Sequence, residues 1–105
     1  MNVEERTQFM RELFEEALAI SEAKGAAYAK SNDSLSNFKE IAARVGVTKY
    51  QAWAVHADKH LTCIMSAIAK TPELPVDSTE SMRGRIIDAV NYFGILGAML
   101  LEDEK

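Results

Sequence analysis

The stretch MRGRIIDAVNYFGILGAMLL, residues 82–101, decides the fold class of this chain. Its apolar residues recur at intervals of three and four, which is the period of one face of an α-helix. The predicted buried face consists of Met82, Ile86, Ala89, Val90, Phe93, Gly97 and Leu100. Gly94 and Gly97 each cost a helix about 1 kcal/mol relative to alanine, so we expect another helix to approach closely there. The segment therefore predicts a long helix that packs against other helices.

Three further segments show a helical period, and none shows the alternation of a strand. The predicted helices cover about residues 3–24, 36–45, 48–70 and 82–101. The apolar stripe of the first is Phe9, Leu13, Phe14, Ala17, Leu18 and Ile20; that of the second is Phe38, Ile41, Ala42 and Val45; that of the third is Trp53, Ala57, Leu61, Ile64 and Ile68. The sequence predicts an all-α, four-helix bundle that forms a single domain over residues 1–105.

Residues that favour helix ends stand between these segments. Asn2 is the predicted N-cap of the first helix, Gly46 ends the second, and Thr48 with Gln51 forms a capping box for the third. Asp77 with Glu80 is the predicted cap of the fourth helix. The first helix is expected to stop at Gly25, before the turn-forming residues Ser31, Asn32, Asp33 and Ser34.

Composition limits the classes of function. The net charge of −4 argues against general nucleic-acid binding. The single cysteine, Cys63, excludes an internal disulfide framework and indicates a reducing cytoplasm. The apolar run within residues 89–101 is shorter than the roughly 20 residues of a membrane span, and residues 1–8 carry no apolar signal region. We therefore expect a cytoplasmic protein without a membrane partner.

Charge is distributed unevenly along the chain. Residues 1–23 and 71–105 each carry a net charge of −4, whereas residues 24–70 carry +4. The middle segment could present a positive surface to a small anion. The alternative is that the acidic and basic segments pair with each other or face solvent.

The fourth helix carries more polar groups than a core helix needs. The predicted ligand-binding residues are Lys59, His60, Arg83, Arg85, Asp88, Asn91 and Tyr92. Long helices joined by a short proline-containing loop pack together, so we expect the polar stripes of the third and fourth helices to meet. Lysine and arginine would hold phosphate, because their hydrogen bonds to it are charge-assisted. Asp88 and Asn91 would bond to the polar edges of a base or ribose, and Tyr92 or Trp53 would stack on a base.

Structural roles for the same residues remain open. Arg85 and Asp88 are three residues apart and could form a local ion pair worth a few tenths of a kcal/mol. Asn91 could bridge two helices, and Tyr92 could belong to the core. His56 and His60 have a spacing that can bind a metal ion, although a polar rim or a phosphate contact is the favoured interpretation. Cys63 is interpreted as a small apolar filler.

A magnesium site is the alternative to simple binding. Glu12 and Glu15 form an ExxE pair followed by Glu16, and magnesium prefers carboxylate oxygens. A second acidic pair is missing, since the fourth helix offers only Asp88. An acidic solvent face is therefore the favoured interpretation, and no cofactor is predicted except magnesium under this alternative.

Two segments of the chain carry a resemblance in combination. The matching residues are Asn37, Phe38, Trp53, Val55, Lys59, His60, Ile64, Glu80, Arg83, Gly84, Arg85, Ile86, Asp88, Ala89, Asn91 and Tyr92. Over about residues 35–101 the chain resembles the nucleotide modification associated domain, first type, a family of small, mostly phage-encoded helical proteins. The resemblance implies binding of, or action on, nucleotides, in the cytoplasm of the host cell.

The helical layout is also similar, more distantly, to the all-α nucleoside triphosphate pyrophosphatases of the MazG type. Those enzymes hold magnesium with an ExxE and a later ExxD motif. Here the second motif reads Arg85-Ile-Ile-Asp88, with arginine in place of an acid.

The leading hypothesis is a protein that binds a nucleotide, including a cyclic nucleotide, without cleaving it. In a phage setting, such binding would sequester a host immune signal or serve nucleotide modification. The alternatives are a magnesium-dependent nucleotide pyrophosphatase, which would use Glu12, Glu15, Glu16 and Asp88, and a structural interaction module. We expect a homo-oligomer, since a small core gains from association.

Overall fold

The computed structural model describes residues 1–28 and 33–104, except for the side chains of residues 26–28. Within these residues the chain forms four α-helices and no strand. They are α1 (Val3–Tyr28), α2 (Ser36–Val45), α3 (Lys49–Lys70) and α4 (Met82–Asp103). The prediction of an all-α, four-helix, single-domain bundle is confirmed.

Short-range capping explains most helix ends. The Asn2 side chain accepts the backbone N–H of Glu5 at 2.8 Å. Gly46 ends α2 in the left-handed region with φ of 75°, where only glycine is unstrained. Thr48 and Gln51 form the predicted capping box at the start of α3. These predictions are confirmed because each cap depends on residues within four positions of one another.

Two predicted ends are wrong. Helix α1 continues through Gly25 to Tyr28, where a stop was expected. Helix α4 begins with Ser81 as its N-cap, and the Ser81 hydroxyl accepts the N–H of Gly84 at 2.9 Å. Asp77 caps the turn before it, since its carboxylate accepts the N–H groups of Thr79 and Glu80. The expected turn residues Ser31 and Asn32 lie outside the described residues.

Helix α4 is the centre of the structure. On one side its Ile87 packs with Leu13 and Ala17 of α1. On the other side its Met99, which is fully buried, packs with a cluster made of Leu35, Phe38, Ala42 and Ala52. Among the described residues α1 contacts no helix other than α4. The two cores therefore meet α4 on different sides.

Another face of α4 is only partly covered. Ile86, Phe93 and Leu100, all predicted to be buried, are 39–52% exposed. Leu61 and Ile68 of α3 are exposed as well, although they were expected in its buried stripe. The helical period of α4 was predicted correctly. Helices α1 and α3 pack against the sides next to the predicted buried face rather than against that face itself.

Helix α4 is also long and apolar enough, by length and composition, to cross a membrane. The prediction that this segment is too short for a membrane span considered only the apolar run within residues 89–101, whereas the helix spans 22 residues. Core helices of soluble proteins meet the same criterion.

Candidate functional site

A groove of about 630 Å³ lies between the C-terminal half of α1, the start of α2 and the middle of α4. We call it the α1–α2–α4 groove. Its polar lining consists of Ser21, Lys24, Ser34, Ser36, Asn37, Asp88, Asn91 and Tyr92. Its size falls within the range of about 300–1,000 Å³ typical of small-molecule sites. Three of the seven predicted site residues, Asp88, Asn91 and Tyr92, are among those that line it.

Asp88 links this groove to α3. One carboxylate oxygen lies 3.8 Å from Lys24 Nζ, and the other lies 3.8 Å from His60 Nδ1. The Asp88 side chain is 22% exposed, so its charge is partly shielded from water yet reachable from the groove. These distances exceed those of direct hydrogen bonds, so the Asp88 oxygens retain acceptor capacity.

His60 supports the groove from behind. Its Nδ1 atom is buried and has no hydrogen-bond partner among the described residues. Its ring lies 4.8 Å from the ring of Tyr92, measured between centroids, at a tilt of 38°. The expected approach of α3 and α4 therefore occurs through His60, Asp88 and Tyr92. A shift of about 1 Å would let His60 and Asp88 form a hydrogen bond.

Tyr92 is held by aromatic contacts on α2 and α3. Its ring meets Phe38 edge-on at 6.3 Å and also contacts His60. Burial, and then the charge of Asp88, raises the pKa of the Tyr92 hydroxyl. The phenol is therefore neutral at physiological pH and can donate a hydrogen bond at the wall of the groove.

Trp53, the other predicted stacking residue, has structural partners. Its indole N–H donates to the backbone oxygen of Tyr92 at 2.6 Å. Its ring packs edge-on against Phe93 at 5.6 Å. Trp53 does not line the α1–α2–α4 groove, and instead fixes the position of α4 against α3.

The N-terminus of α2 opens into the groove. Ser34, Ser36 and Asn37 line the groove at this end. The Leu35 N–H donates to Asp33 Oδ1, and the Ser36 N–H donates to the backbone oxygen of Asp33. The Asp33 carboxylate therefore already lies at this helix end, where the helix dipole favours an anion.

Arg85 requires a correction. The sequence predicts that it holds phosphate beside Asp88, but its side chain is 10% exposed and has other partners. Its Nε donates to Asp77 Oδ2 at 2.9 Å, and Nη1 lies 3.0 Å from Glu80 Oε2. Asp77 raises the pKa of Arg85, so the guanidinium stays charged. Arg85 ties the loop before α4 to the helix.

Arg83 and Lys59 also lie apart from the groove. Arg83 donates through Nε to Glu16 Oε2 at 3.0 Å and lies over the ring of Phe9. It lines a smaller groove of about 370 Å³ between α1 and the start of α4. Lys59 is exposed on α3. The predicted convergence of these cations on one phosphate is therefore not seen.

Glu16 and Asp88, two residues of the magnesium alternative, line the smaller groove together with Arg83. Glu12 accepts a hydrogen bond from Gln8, and Glu16 pairs with Arg83. His56 contacts Phe38, whereas His60 contacts Tyr92. Among the described residues, no group of three or more histidine, cysteine, aspartate or glutamate side chains is placed to hold a metal ion.

Sequence reasoning missed the contribution of α1 and α2 to the groove. Lys24 and Ser21 fall near the expected end of the first helix, and their face could not be assigned. Asn37 belongs to the Asn37-Phe38 pair of the family resemblance, which was the available signal for this wall.

No family model, curated protein or solved structure matches this chain. The family resemblance of residues 35–101 therefore remains a prediction.

Proposed function

We propose that the chain binds a nucleotide, or a signalling molecule derived from one, in the α1–α2–α4 groove without cleaving it. The observation that carries this proposal is the convergence of Asp88, Asn91 and Tyr92 on one groove of about 630 Å³. A carboxylate, an amide and a neutral phenol together offer donors and acceptors suited to the edges of a base and to ribose hydroxyls.

The phosphate end is assigned to the side of the groove formed by α1 and the start of α2. Lys24 supplies a cation, and the start of α2 supplies the polar residues Ser34, Ser36 and Asn37. Lys24 takes the role that the sequence gave to Lys59, Arg83 and Arg85. Since Lys24 also lies 3.8 Å from Asp88, a bound phosphate would compete with the Asp88 carboxylate for the positive charge of Lys24. This competition favours a ligand that bonds to Asp88 through a hydroxyl or amino group at the same time.

The ligand class can be tested with a thermal-shift panel of mono-, di- and cyclic nucleotides, with and without magnesium. The recovered ligand is then examined by chromatography. We expect at least one nucleotide to raise the melting temperature and to be recovered intact. Metal-dependent cleavage would replace this proposal with the pyrophosphatase alternative, and no shift with any nucleotide would overturn nucleotide binding.

Asn91→Ala tests ligand binding in this groove most directly, because Asn91 lines the groove and is half-buried. We expect the affinity for the stabilising nucleotide to fall at least tenfold, equivalent to about 1.4 kcal/mol. Isothermal titration calorimetry gives the dissociation constant, and the melting temperature without ligand checks the fold. An unchanged affinity contradicts the assignment of the groove.

Two lysines provide a charge-matched comparison. Lys24 lines the groove, whereas Lys59 is exposed on α3 outside it. We expect Lys24→Ala to weaken binding and Lys59→Ala to leave it nearly unchanged. The reverse order would favour the site predicted from the sequence over the groove.

A further inference from the structure

Helix α4 carries an apolar stripe that the described chain covers only in part. Ile86, Phe93 and Leu100 follow one another at intervals of seven residues, and Gly97 lies between the last two. This spacing keeps all four on one side of a helix, as in the seam of a coiled coil. The three large side chains are 39–52% exposed. We call this set the α4 stripe.

The stripe extends onto α3. The ring contact between Trp53 and Phe93 brings the two helices together at this side. Leu61 and Ile68, which share the helical face of Trp53, are 38% and 42% exposed. Two neighbouring helices therefore both expose large apolar side chains, and clustered apolar surface marks interaction sites.

The exposed area of the whole chain exceeds that of a compact monomer. A monomeric protein of 11.7 kDa has an accessible surface of about 5,900 Å². The chain exposes 7580 Å², about 1,700 Å² more. Its radius of gyration of 15.7 Å likewise exceeds the roughly 13 Å expected for this length. This excess includes α1, whose Phe9, Phe14 and Leu18 are 44–59% exposed. Covering all of it in two chains would bury about 3,400 Å², and obligate homodimers bury from about 2,000 Å² upward, so part of the excess suffices.

We infer that a second copy of this chain covers the α4 stripe, with the two α4 helices antiparallel about Phe93. In this arrangement residue 83 of one copy lies level with residue 103 of the other. Arg83 is paired with Glu16, and the acidic residues at the other end of α4 are paired with Lys39 and Lys49, so neither end brings an unpaired charge into the contact. The opposed helix dipoles add a favourable interaction. Gly97 has no side chain to hold a partner helix away, and its position is open, since a Cβ there would meet nothing within 4 Å in the single chain.

A membrane is the competing partner for this surface, and the charges argue against it. Helices that lie on anionic membranes carry lysine and arginine on their polar faces, whereas α4 ends in Glu102, Asp103 and Glu104. If α4 crossed the bilayer, Asp88 and Asn91 would enter hydrocarbon at considerable cost. A second copy of the chain covers the apolar stripe and leaves the acidic end of α4 in water.

Sedimentation velocity of the full chain tests the dimer, and Gly97→Glu is the disrupting variant. The added side chain has open space in one chain but would place a charge in the interface. We expect the wild type to sediment at twice 11.7 kDa and the variant to weaken association at least tenfold. Val55→Glu is the matched control, since Val55 is 73% exposed and lies on a different face of α3. It should remain dimeric.

Cross-linking keeps the inference testable if Gly97→Glu fails to fold. With Cys63 replaced by serine, Phe93→Cys should form an interchain disulfide on oxidation, and Val55→Cys should not. The inference is overturned by a monomeric wild type at micromolar concentration or by equal cross-linking of the two variants. Flotation of the wild type with phosphatidylcholine–phosphatidylglycerol vesicles would overturn it in favour of the membrane.

Discussion

At the residue scale, Arg85 shows how a local pattern can indicate the chemistry and miss the partner. An arginine three residues before an aspartate predicts either a ligand contact or a local pair with Asp88. In the structure the guanidinium instead contacts Asp77, Thr79 and Glu80, all of which precede it in the chain. The loop conformation that brings these groups to Arg85 was not predictable from helical spacing.

Arg85→Ala is therefore expected to destabilise the protein rather than leave its fold intact. The substitution leaves the carboxylate of Asp77 without its cation in a site where both side chains are 10% exposed. Urea denaturation should show a clear fall in midpoint. Arg83→Ala is the control, because the Arg83–Glu16 pair is 45% exposed on both sides, and its midpoint should change little. Equal effects of the two substitutions would contradict the anchoring role of Arg85.

Asp77 makes the stability sensitive to acid. Hydrogen bonds from Thr79, and then from Arg85, hold its pKa well below the usual 3.8 in the folded chain. A carboxyl group with a lowered folded pKa stabilises the fold at pH values above its unfolded pKa. That contribution is lost as the pH falls from about 4 through the folded pKa.

Asp77→Asn should remove this part of the acid sensitivity. Urea midpoints measured between pH 7 and pH 3 should fall less steeply for the variant than for the wild type. Part of the slope will remain, since the pKa values of Asp33 and Asp103 are lowered as well. Asp58→Asn, an exposed position on α3, should keep the wild-type slope. An identical slope for Asp77→Asn would refute this role.

At the scale of helices, prediction succeeded where the interaction is local. The ends of α2 and α3 depend on Gly46, Thr48 and Gln51, which act within a few residues. The period of α4 was also predictable. The sides of α4 that other helices cover were not predictable. They depend on where α1 and α3 pack, and neither the spacing of apolar residues nor composition determines that directly. For the same reason the groove residues Lys24 and Asn37 were missed.

The start of α4 gives an element-scale prediction. Ser81→Ala removes the hydroxyl that accepts the N–H of Gly84, and N-cap losses of this kind cost about 1 kcal/mol. Chemical denaturation should show that loss, whereas Ser78→Ala, at an exposed loop position, should show almost none. If both variants were as stable as the wild type, Ser81 would not be the cap.

At the scale of the whole molecule, two surfaces of α4 have different roles in this account. Asp88 and Asn91 contribute to the α1–α2–α4 groove, whereas Phe93 and Leu100 belong to the stripe assigned to a second copy. The apolar run that first indicates a core helix thus carries both a ligand wall and an interface. Since the two surfaces use different residues, Gly97→Glu should separate association from nucleotide binding.

The central claim is that a nucleotide binds in the α1–α2–α4 groove and stays intact. The most direct test is an NMR titration of the ¹⁵N-labelled chain with the nucleotide that stabilises it, with the phosphorus spectrum of the ligand recorded in the same sample. The account predicts that the largest amide shifts fall at Lys24, Asn37 and Asn91, and that the ligand's phosphorus signals show no hydrolysis products. Shifts centred on Lys59 and Arg85, or the appearance of cleaved phosphate, would contradict it.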